Sequence, residues 1–484
     1  MWSKYVTVIL LGLILIAPET YMVSGGEEEK TRNLNNDNNL IIFYPRSTIP
    51  VIVERNNSFN IFFAAPDYED IAVEISTAYD PIPDTFTLPV IDEKKESGKW
   101  RCTVRIPSEI PEELYNLTIT IETIDGTYSR ATPRSVEVKD EITGNFTFVH
   151  LTDFHIGDPR GLKENIRETI GWKAAKKCIE EINLLHPEFV VITGDLVFGQ
   201  LHPGEYTREY KKCYKILQQF QVPIYLCPGN HDGYLQTGQD GFEYWEKYFG
   251  SLYYSFNYGE THFLSINSYD WPKKLRTTFF FIPLNWGGYI QDEQLQWIEE
   301  DLDSNIDARL KIMLMHHNPL WDTSHESLMG IHYIGREELL NLIQEYNVDA
   351  VFDGHVHYDN ITIWNDTLFV TTTTASSSLG AEDAYWGYRL IKVENYSIIS
   401  YNYKEPKYSI PSYHLNYVSE DEHHKTIKND LDMDVKIETT FLLPKGTYNV
   451  ENGEIYMIRE RGDLMELYVT AEVPAQSEVT ITVH

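Results

Sequence analysis

Residues 148–155 read FVHLTDFH, an apolar and β-branched run that ends in the triplet Asp153-Phe154-His155. A short apolar run without alternation is typical of a strand buried on both faces, so the polar triplet falls where the strand ends. Binding sites of open α/β sheets form at the carboxyl ends of strands. This stretch therefore predicts a strand of an α/β sheet that delivers an aspartate and a histidine to a site.

Further polar motifs follow along the chain, most of them directly after a similar apolar run. They are Gly194-Asp195, Gly229-Asn230-His231-Asp232, His316-His317 and Gly354-His355-Val356-His357. We expect these motifs to converge, because the carboxyl ends of parallel strands meet at one edge. Neighbouring residues on a strand point to opposite faces, so only one of His316 and His317 reaches the site easily. His355 and His357 are two positions apart and point the same way.

The residue types of these motifs predict a metal site. Aspartate, histidine and asparagine without cysteine suit Mn, Fe, Zn or Co rather than a closed structural zinc site. The candidate ligands outnumber those that one ion needs, so two divalent ions are the natural count. A carboxylate must bridge them if they lie about 3.5–4 Å apart, as hydrolytic pairs do. Each residue alone is more often a loop residue or a cap, and it is their joint occurrence that indicates a site.

This order of motifs, D-x-H, G-D, G-N-H-D, H and G-H-x-H, resembles the calcineurin-like metallophosphoesterase family over roughly residues 145–403. The resemblance implies an α/β fold, with a β-sandwich core flanked by helices. It also implies that the chain is a metal-dependent hydrolase of phosphate mono- or diesters. Nothing in the motifs identifies the substrate or the metals.

The resemblance assigns a role to each motif residue. The metal ligands would be Asp153, His155 and His357 for the first ion, Asn230, His316 and His355 for the second, and Asp195 as the bridge. A hydroxide bridging the ions would attack phosphorus. His231 would protonate the leaving group, and Asp232 would hold the ring of His231. The alternative is a non-catalytic metal-binding or scaffold protein of the same fold, which the complete ligand set makes the weaker hypothesis.

Length and charge limit the other classes of function. A chain of 484 residues suggests two to four domains. The net charge of −33 argues against a nucleic-acid-binding surface and against adhesion to anionic membranes. The partner that the resemblance implies is a phosphate-ester substrate.

The pattern along the chain predicts the domain organisation. We expect a signal peptide over residues 1–25, a linker over 26–39, an N-terminal β-sandwich domain over 40–140, the catalytic domain over 145–404 and a small C-terminal β domain over 405–484. The catalytic part includes an amphipathic helix predicted over Leu162 to Leu185.

The N-terminal residues indicate export. Lys4, the apolar residues Val6 to Ala17 and the small residues Ser24-Gly25-Gly26 have the layout of a secretion signal. An uncleaved signal would instead serve as a membrane anchor. Potential glycan acceptors are Asn56, Asn116, Asn145, Asn360, Asn365 and Asn395. We therefore expect a secreted or cell-surface glycoprotein. Of the four cysteines, Cys178 and Cys213 lie in helical patterns and are predicted to be buried rather than bridged.

Overall fold

The computed structural model describes residues 40–79, 83–96, 98–158, 170–201, 203–236, 238–279, 282–377 and 384–484. The predicted signal peptide and linker lie outside these ranges. All described residues belong to one compact unit, Asn39–His484.

Two six-stranded sheets form the centre of the molecule. The first sheet contains, in spatial order, Ile224–Cys227, Phe189–Thr193, Phe146–Leu151, Gly387–Glu394 and Ser397–Ser400, with Ile410–Pro411 paired to Gly387–Glu394. The second sheet contains Tyr254–Tyr258, Thr261–Ser265, Leu310–Leu314, Ala350–Asp353, Thr367–Thr371 and Asn360–Trp364. The strands that precede the sequence motifs are parallel to one another within each sheet, whereas Phe146–Leu151 is antiparallel to Gly387–Glu394 on its other side. The prediction of parallel strands is therefore confirmed.

Alternation along the strands builds a layered core. In the first sheet, Phe146 and Phe148 pack into a buried cluster shared with Phe352 of the second sheet. Val149 and Leu151 point the other way and pack against helices. Strands with buried residues on both faces are the expected result of a sheet covered on both sides. The centre of the molecule is thus a sandwich of two sheets flanked by helices, as predicted.

Helices cover the outer faces of the sandwich. Their bounds are Ile170–Leu185, Glu205–Leu217, Asn230–Gly233, Gly241–Tyr248, Asp292–Ser304 and Arg336–Glu345, with short 3-10 helices at Lys273–Arg276 and Ser324–Glu326. Ile298 and Leu302 pack with Leu339 and Ile343 against the second sheet. The predicted helix over Leu162 to Leu185 is described from Ile170 onwards, and its earlier residues fall outside the described ranges.

The N-terminal region is a separate β-sandwich with its own core. One sheet has the order Ile41–Tyr44, Ser58–Ala64, Lys99–Arg105 and Val90–Glu96, and the other has the order Val51–Glu54, Gly126–Lys139, Glu113–Thr123, Asp70–Thr77 and Thr85–Thr87. Ile61, Val104 and Ile119 contribute to a buried cluster formed by these two sheets. The predicted N-terminal β-sandwich is thus present.

The C-terminal region is also built from two sheets. They contain Leu415–Glu420, His424–Asn429, Ser477–Val483 and Val450–Glu451 in the first, and Val435–Pro444, Leu464–Val473 and Glu454–Arg461 in the second. Ile437 and Phe441 belong to the same buried cluster as Ile179 and Ile182 of the helix Ile170–Leu185. The exact boundaries at residues 140 and 404 stay predictions.

Two sequence expectations concern single features. The four cysteines are buried and unbridged, which confirms the prediction for Cys178 and Cys213. No helix in the described ranges is both long and apolar enough to span a bilayer. Two small hairpins complete the fold, Leu235–Gln236 with Gln239–Asp240 and Thr278–Phe279 with Ile282–Pro283.

Candidate dinuclear metal centre

The motifs meet at the carboxyl ends of strands from both sheets. In the first sheet, Asp153 follows Phe146–Leu151 and Asp195 follows Phe189–Thr193. In the second sheet, His316 follows Leu310–Leu314. Every predicted ligand, namely Asp153, His155, Asp195, Asn230, His316, His355 and His357, is buried or half-buried. The site is thus assembled from stretches more than 200 residues apart, as His355 N donates to Asp153 Oδ2 at 3.0 Å.

The backbone around the site is held in an uncommon conformation. Positive φ angles of 44–72° occur at Asp153, His155, Asp195, His355 and His357. Such angles are rare outside glycine and are tolerated where the surrounding structure enforces them, often at functional sites. The polar residues therefore leave their strands in sharp turns, which aims their side chains back at one point.

Gly194 makes a close approach possible between two parts of the site. Its φ is 90°, and a Cβ at this position would lie 2.7 Å from His316 Nδ1 and 2.6 Å from Gly229 N. Any other residue would push His316 or the Gly229 backbone away. The glycine of the Gly-Asp motif is thus required by packing across the two sheets.

One part of the cluster is formed by Asp153, His155 and His357, which we call the Asp153 half. Asp153 Oδ1 lies 3.1 Å from His357 Nε2 and 3.4 Å from His155 Nε2. The two Nε2 atoms are 3.2 Å apart. Asp153 Oδ2 is held by the Thr152 hydroxyl at 2.7 Å. Three ligand atoms thus face a common point, as ligands of one cation do.

Asp195 lies between this half and the rest of the cluster. Its Oδ2 atom is 3.2 Å from His155 Nε2 and also 3.2 Å from His316 Nε2. Its Oδ1 atom accepts the backbone N–H of His231 at 2.9 Å. A single carboxylate oxygen thus contacts one imidazole from each sheet. This is the position that a bridging ligand requires.

The second part consists of Asn230, His316 and His355, which we call the Asn230 half. Asn230 Nδ2 donates to the Tyr234 hydroxyl at 2.6 Å, which leaves Oδ1 as the acceptor of this amide. His316 Nδ1 donates to the Thr193 carbonyl at 2.6 Å, so its Nε2 atom is the one aimed at Asp195. This arrangement, with one ring nitrogen on a carbonyl and the other towards the site, is usual for metal-binding histidines.

His317 lies beside the Asn230 half, with its ligand atom within 4.8 Å of those of His316 and His355. Its Nδ1 atom lies 3.0 Å from the Ser268 hydroxyl and its Nε2 atom lies 3.0 Å from the Trp286 carbonyl. Burial and the neighbouring imidazoles of His355 and His316 lower the pKa of His317 well below its ordinary value. Both ring nitrogens of His317 therefore have partners other than the predicted ligands, and the choice of His316 stays a prediction.

His231 is half-buried and stands beside the Asp153 half. Its ring lies 4.4 Å from that of His155, and its Nδ1 atom donates to the Phe198 carbonyl at 2.5 Å. The expectation that Asp232 holds this ring is not met. The Asp232 carboxylate instead accepts the backbone N–H groups of Leu196 and Gly229, at 3.0 and 2.9 Å, and that of Val197. Asp232 therefore shapes the loop, and Phe198 orients the imidazole.

The carboxylates and imidazoles shift each other's pKa values. Burial alone would raise the pKa of Asp195, but the imidazoles of His316, His231 and His155 hold it well below its ordinary value. Burial likewise lowers imidazole pKa values, yet Asp195 and Asp153 raise the pKa of His155 to about 10. Asp195 raises that of His316 to about 9. The cluster thus strongly favours positive charge at its centre.

The donor set fits divalent cations. Within the described ranges, the buried atoms Asn230 Oδ1 and His316 Nε2 make no hydrogen bond. A buried acceptor without a partner costs free energy unless a ligand satisfies it. Ligand atoms of Asp153, His155 and His357 lie within 4.8 Å of one another, and so do those of Asp153, Asp195 and His316. Carboxylate, imidazole and amide oxygen together suit the metals expected from the sequence.

One charged contact was missed by the sequence analysis. Glu326, from the 3-10 helix Ser324–Glu326, places Oε2 3.1 Å from His355 Nε2. A carboxylate on the far ring nitrogen commonly orients a metal-binding histidine. No motif marked Glu326, because it stands in a loop between two motifs. The only available signal was an acidic residue in a long loop beside the site.

These features define a class, an α/β sandwich with a cluster of histidines and carboxylates at its strand ends that could bind metal ions. Residues 146–359 match the family model of the calcineurin-like phosphoesterases. This domain is therefore similar to the calcineurin-like phosphoesterases, a family of dinuclear metal-dependent phosphoesterases.

Known proteins are similar to about half of this chain. A probable glycerophosphodiester phosphodiesterase of Arcobacter nitrofigilis is 28% identical over 239 residues, 48% of this chain and 80% of the relative. The serine/threonine-protein phosphatase CPPED1 of Rattus norvegicus is 26% identical over 269 residues, 51% of this chain and 81% of the relative. The solved structure of GAP50, the anchor in the inner membrane complex of Plasmodium, covers 55% of this chain and 90% of its own, at 13% identity and a TM-score of 0.36.

Proposed function

We propose that this protein is an exported dinuclear-metal phosphoesterase that hydrolyses phosphate mono- or diesters. The observation that carries the proposal is the position of Asp195 Oδ2, which lies 3.2 Å from an imidazole of each half of the site. A non-catalytic scaffold would have no need for a complete ligand set together with an oriented imidazole at His231.

The ions, when bound, supply Lewis acidity and lower the pKa of water. Asp153 and Asp195, both ionised, hold this charge in place, and Gly194 allows the two sheets to approach. In the overall reaction the oxygen of water bonds to phosphorus, the ester phosphorus–oxygen bond breaks, and the leaving oxygen takes a proton.

We propose that His231 gives that proton. Its Nδ1–H is used by the Phe198 carbonyl, so Nε2 is the nitrogen that exchanges a proton with the leaving oxygen. The half-buried ring lies beside His155, close to where the phosphate would lie. A fixed imidazole of this kind contributes roughly 100- to 10,000-fold to a rate by general acid catalysis.

A direct test is hydrolysis of p-nitrophenyl phosphate and bis(p-nitrophenyl) phosphate with added Mn²⁺ and with chelator. Release of nitrophenolate that needs the metal supports the proposal. A protein that binds two ions per chain but releases no nitrophenolate would be a metal-binding scaffold.

The variant His231→Ala tests the proton donor. We expect the metal content to stay unchanged, while kcat falls by roughly 100-fold or more for phenyl esters and much less for nitrophenyl esters, whose leaving group needs no proton. His332→Ala is the matched control, since the side chain of His332 is 77% exposed. Equal losses for both leaving groups would contradict the assignment.

Export is supported by the signal-like residues 1–25 and by the exposure of the glycan acceptors. Asn56, Asn145, Asn365 and Asn395 are exposed, and Asn116 and Asn360 are half-buried. Expression in a secreting eukaryotic cell should yield protein whose mass falls on treatment with peptide N-glycosidase. Unmodified protein retained inside the cell would count against export.

A further inference from the structure

An apolar face extends from the metal centre across two loops. The strand residues Ile282–Pro283 pair with Thr278–Phe279, so that Phe279 stands opposite Ile282. The chain then continues to Asn285, which pairs in antiparallel fashion with Ser327. Leu328 N donates to Leu284 O at 3.0 Å, which places Leu284 opposite Leu328. The result is a three-stranded ribbon.

Successive side chains of this ribbon alternate between a buried face and an outward face. Thr278, Pro283, Asn285 and Ser327 point inwards and are buried. The outward face carries Phe279, Ile282, Leu284 and Leu328, which we call the apolar ribbon; at its end the half-buried Trp286 packs against the buried core.

The apolar ribbon exposes large hydrophobic side chains to solvent. Phe279 is 51% exposed, Ile282 49% and Leu328 56%, in a chain whose net charge is −33. Contiguous exposed apolar residues of this kind typically mark a ligand-binding or interaction surface.

One end of the ribbon reaches the metal centre. Trp286 N donates to Glu326 O at 2.8 Å, so Trp286 stands opposite Glu326 in the antiparallel register. Glu326 in turn contacts His355 of the Asn230 half at 3.1 Å. The outward face therefore begins beside the residue that contacts His355 and runs over about 13 Å from Trp286 to Ile282.

We infer that the apolar ribbon binds the alkyl chain of an amphipathic phosphate ester, a lipid-type substrate whose phosphate lies at the metal centre. This inference rests on the proposed function and specifies its substrate class. Because the ribbon ends beside the site, its occupant is better explained as an alkyl chain attached to the bound phosphate than as a separate protein partner. A protein partner would not need a surface that ends at His355.

The test measures binding and hydrolysis separately. Binding of ethyl, butyl and octyl phosphate to the Mn²⁺-loaded protein is followed by isothermal titration calorimetry. Burial against one apolar face covers about half of each methylene, so we expect affinity to rise roughly twofold per added methylene. Hydrolysis of the corresponding p-nitrophenyl alkyl diesters should show the same trend in kcat/KM.

Variants locate the effect. Phe279→Ser and Leu328→Ser should remove most of the chain-length dependence and leave ethyl phosphate binding unchanged. Ile458→Ser is the matched control, because Ile458 is 52% exposed on a C-terminal strand. Both test residues are exposed, so neither change should unfold the protein.

The outcomes separate the two proposals. Equal affinities for ethyl and octyl phosphate, or a chain-length dependence that survives in both variants, would overturn the inference and leave the phosphoesterase proposal standing. Chain-length-dependent binding without release of nitrophenolate from any ester would support the ribbon as a lipid-binding face and defeat the proposed hydrolysis.

Discussion

The two halves of the metal centre differ in how they hold charge. The Asp153 half has its own carboxylate, which contacts both of its imidazoles at 3.1 and 3.4 Å. The Asn230 half consists of neutral donors. The carboxylate that contacts it, Asp195, lies in the middle of the site and is shared with the Asp153 half. The other carboxylate of the Asn230 half, Glu326, contacts only His355 of this half, at 3.1 Å from Nε2. Because affinity for a cation rises with ligand charge, we expect the Asn230 half to bind its ion more weakly.

The variant Asp195→Asn should have the largest effect, because it changes the carboxylate that both halves share. Asp195 is the only carboxylate that contacts imidazoles of both halves among the described residues. We expect both ions to be lost on gel filtration and hydrolysis to fall to background, a larger effect than the roughly 10- to 100-fold losses typical of outer partners. Metal content is measured by plasma mass spectrometry.

Asp270→Asn is the control for this change. Asp270 is a nearby carboxylate that accepts from Gln291 and Gln294 instead of facing the cluster. Retention of two ions and of full activity in Asp195→Asn would rule out a bridging role.

Asn230→Ala separates the two halves. It removes the buried Oδ1 acceptor of the Asn230 half and leaves the contacts of Asp153 with its imidazoles intact. We expect about one ion per chain to remain after dialysis, and hydrolysis to be largely lost because two ions act together. Loss of both ions in equal measure would show that the halves are not independent.

Glu326→Gln should act on the same half with a smaller effect. The amide keeps the shape of the side chain but removes the charge that orients His355. We expect affinity for the more weakly bound Mn²⁺ to fall roughly 10-fold, with the tighter ion unaffected, as seen by calorimetric titration. Asp322→Asn in the same loop is the control, since Asp322 contacts the exposed His332. A lower affinity for the tightly bound ion instead would contradict the assignment of Glu326 to the Asn230 half.

His150 tests whether carboxylates, rather than burial, set the charge of the site imidazoles. It is as buried as His155, but its ring lies between the hydroxyls of Thr193 and Thr372, at 2.8 and 2.7 Å. Burial and the Arg389 cation lower the pKa of His150 to about 3, whereas carboxylates raise that of His155 to about 10.

The sign of the resulting pH effect follows from this lowered pKa. The unfolded chain takes up a proton near pH 6.5 while the folded protein does not, so stability is lost as the pH falls from 6.5 towards 3. The contribution of His150 is about 2 kcal/mol between pH 6.5 and 5. In chelated protein, the drop in Tm between pH 7 and 5 should therefore be smaller for His150→Asn than for the wild type. An unchanged drop would show that His150 is not held neutral.

Most of the site could be predicted because its ligands stand in short motifs at strand ends. Asp153, Asp195 and His316 each follow a strand of the sandwich, as the apolar runs indicated. The role of Asp232 could not be read in this way. Its partners are the backbone amides of Leu196, Val197 and Gly229, and only the folded loop brings these together.

Glu326 and the apolar ribbon could not be predicted from the sequence either. Ile282 and Leu328 are 46 positions apart and share a face only through the register around Asn285 and Ser327. Residues so far apart carry no common period, so pattern analysis of either loop alone treats each apolar residue as an isolated surface side chain.

The amino-acid sequence by itself determined the resemblance to the family, the expectation of a sandwich and the set of candidate metal ligands, because these depend on local apolar runs and on the residue types at their ends. The tertiary structure alone decided which oxygen lies between the halves, which group orients His231 and where the ribbon meets the site. These are contacts across the two sheets and between loops, and their distances are set by packing and register rather than by any stretch of the chain.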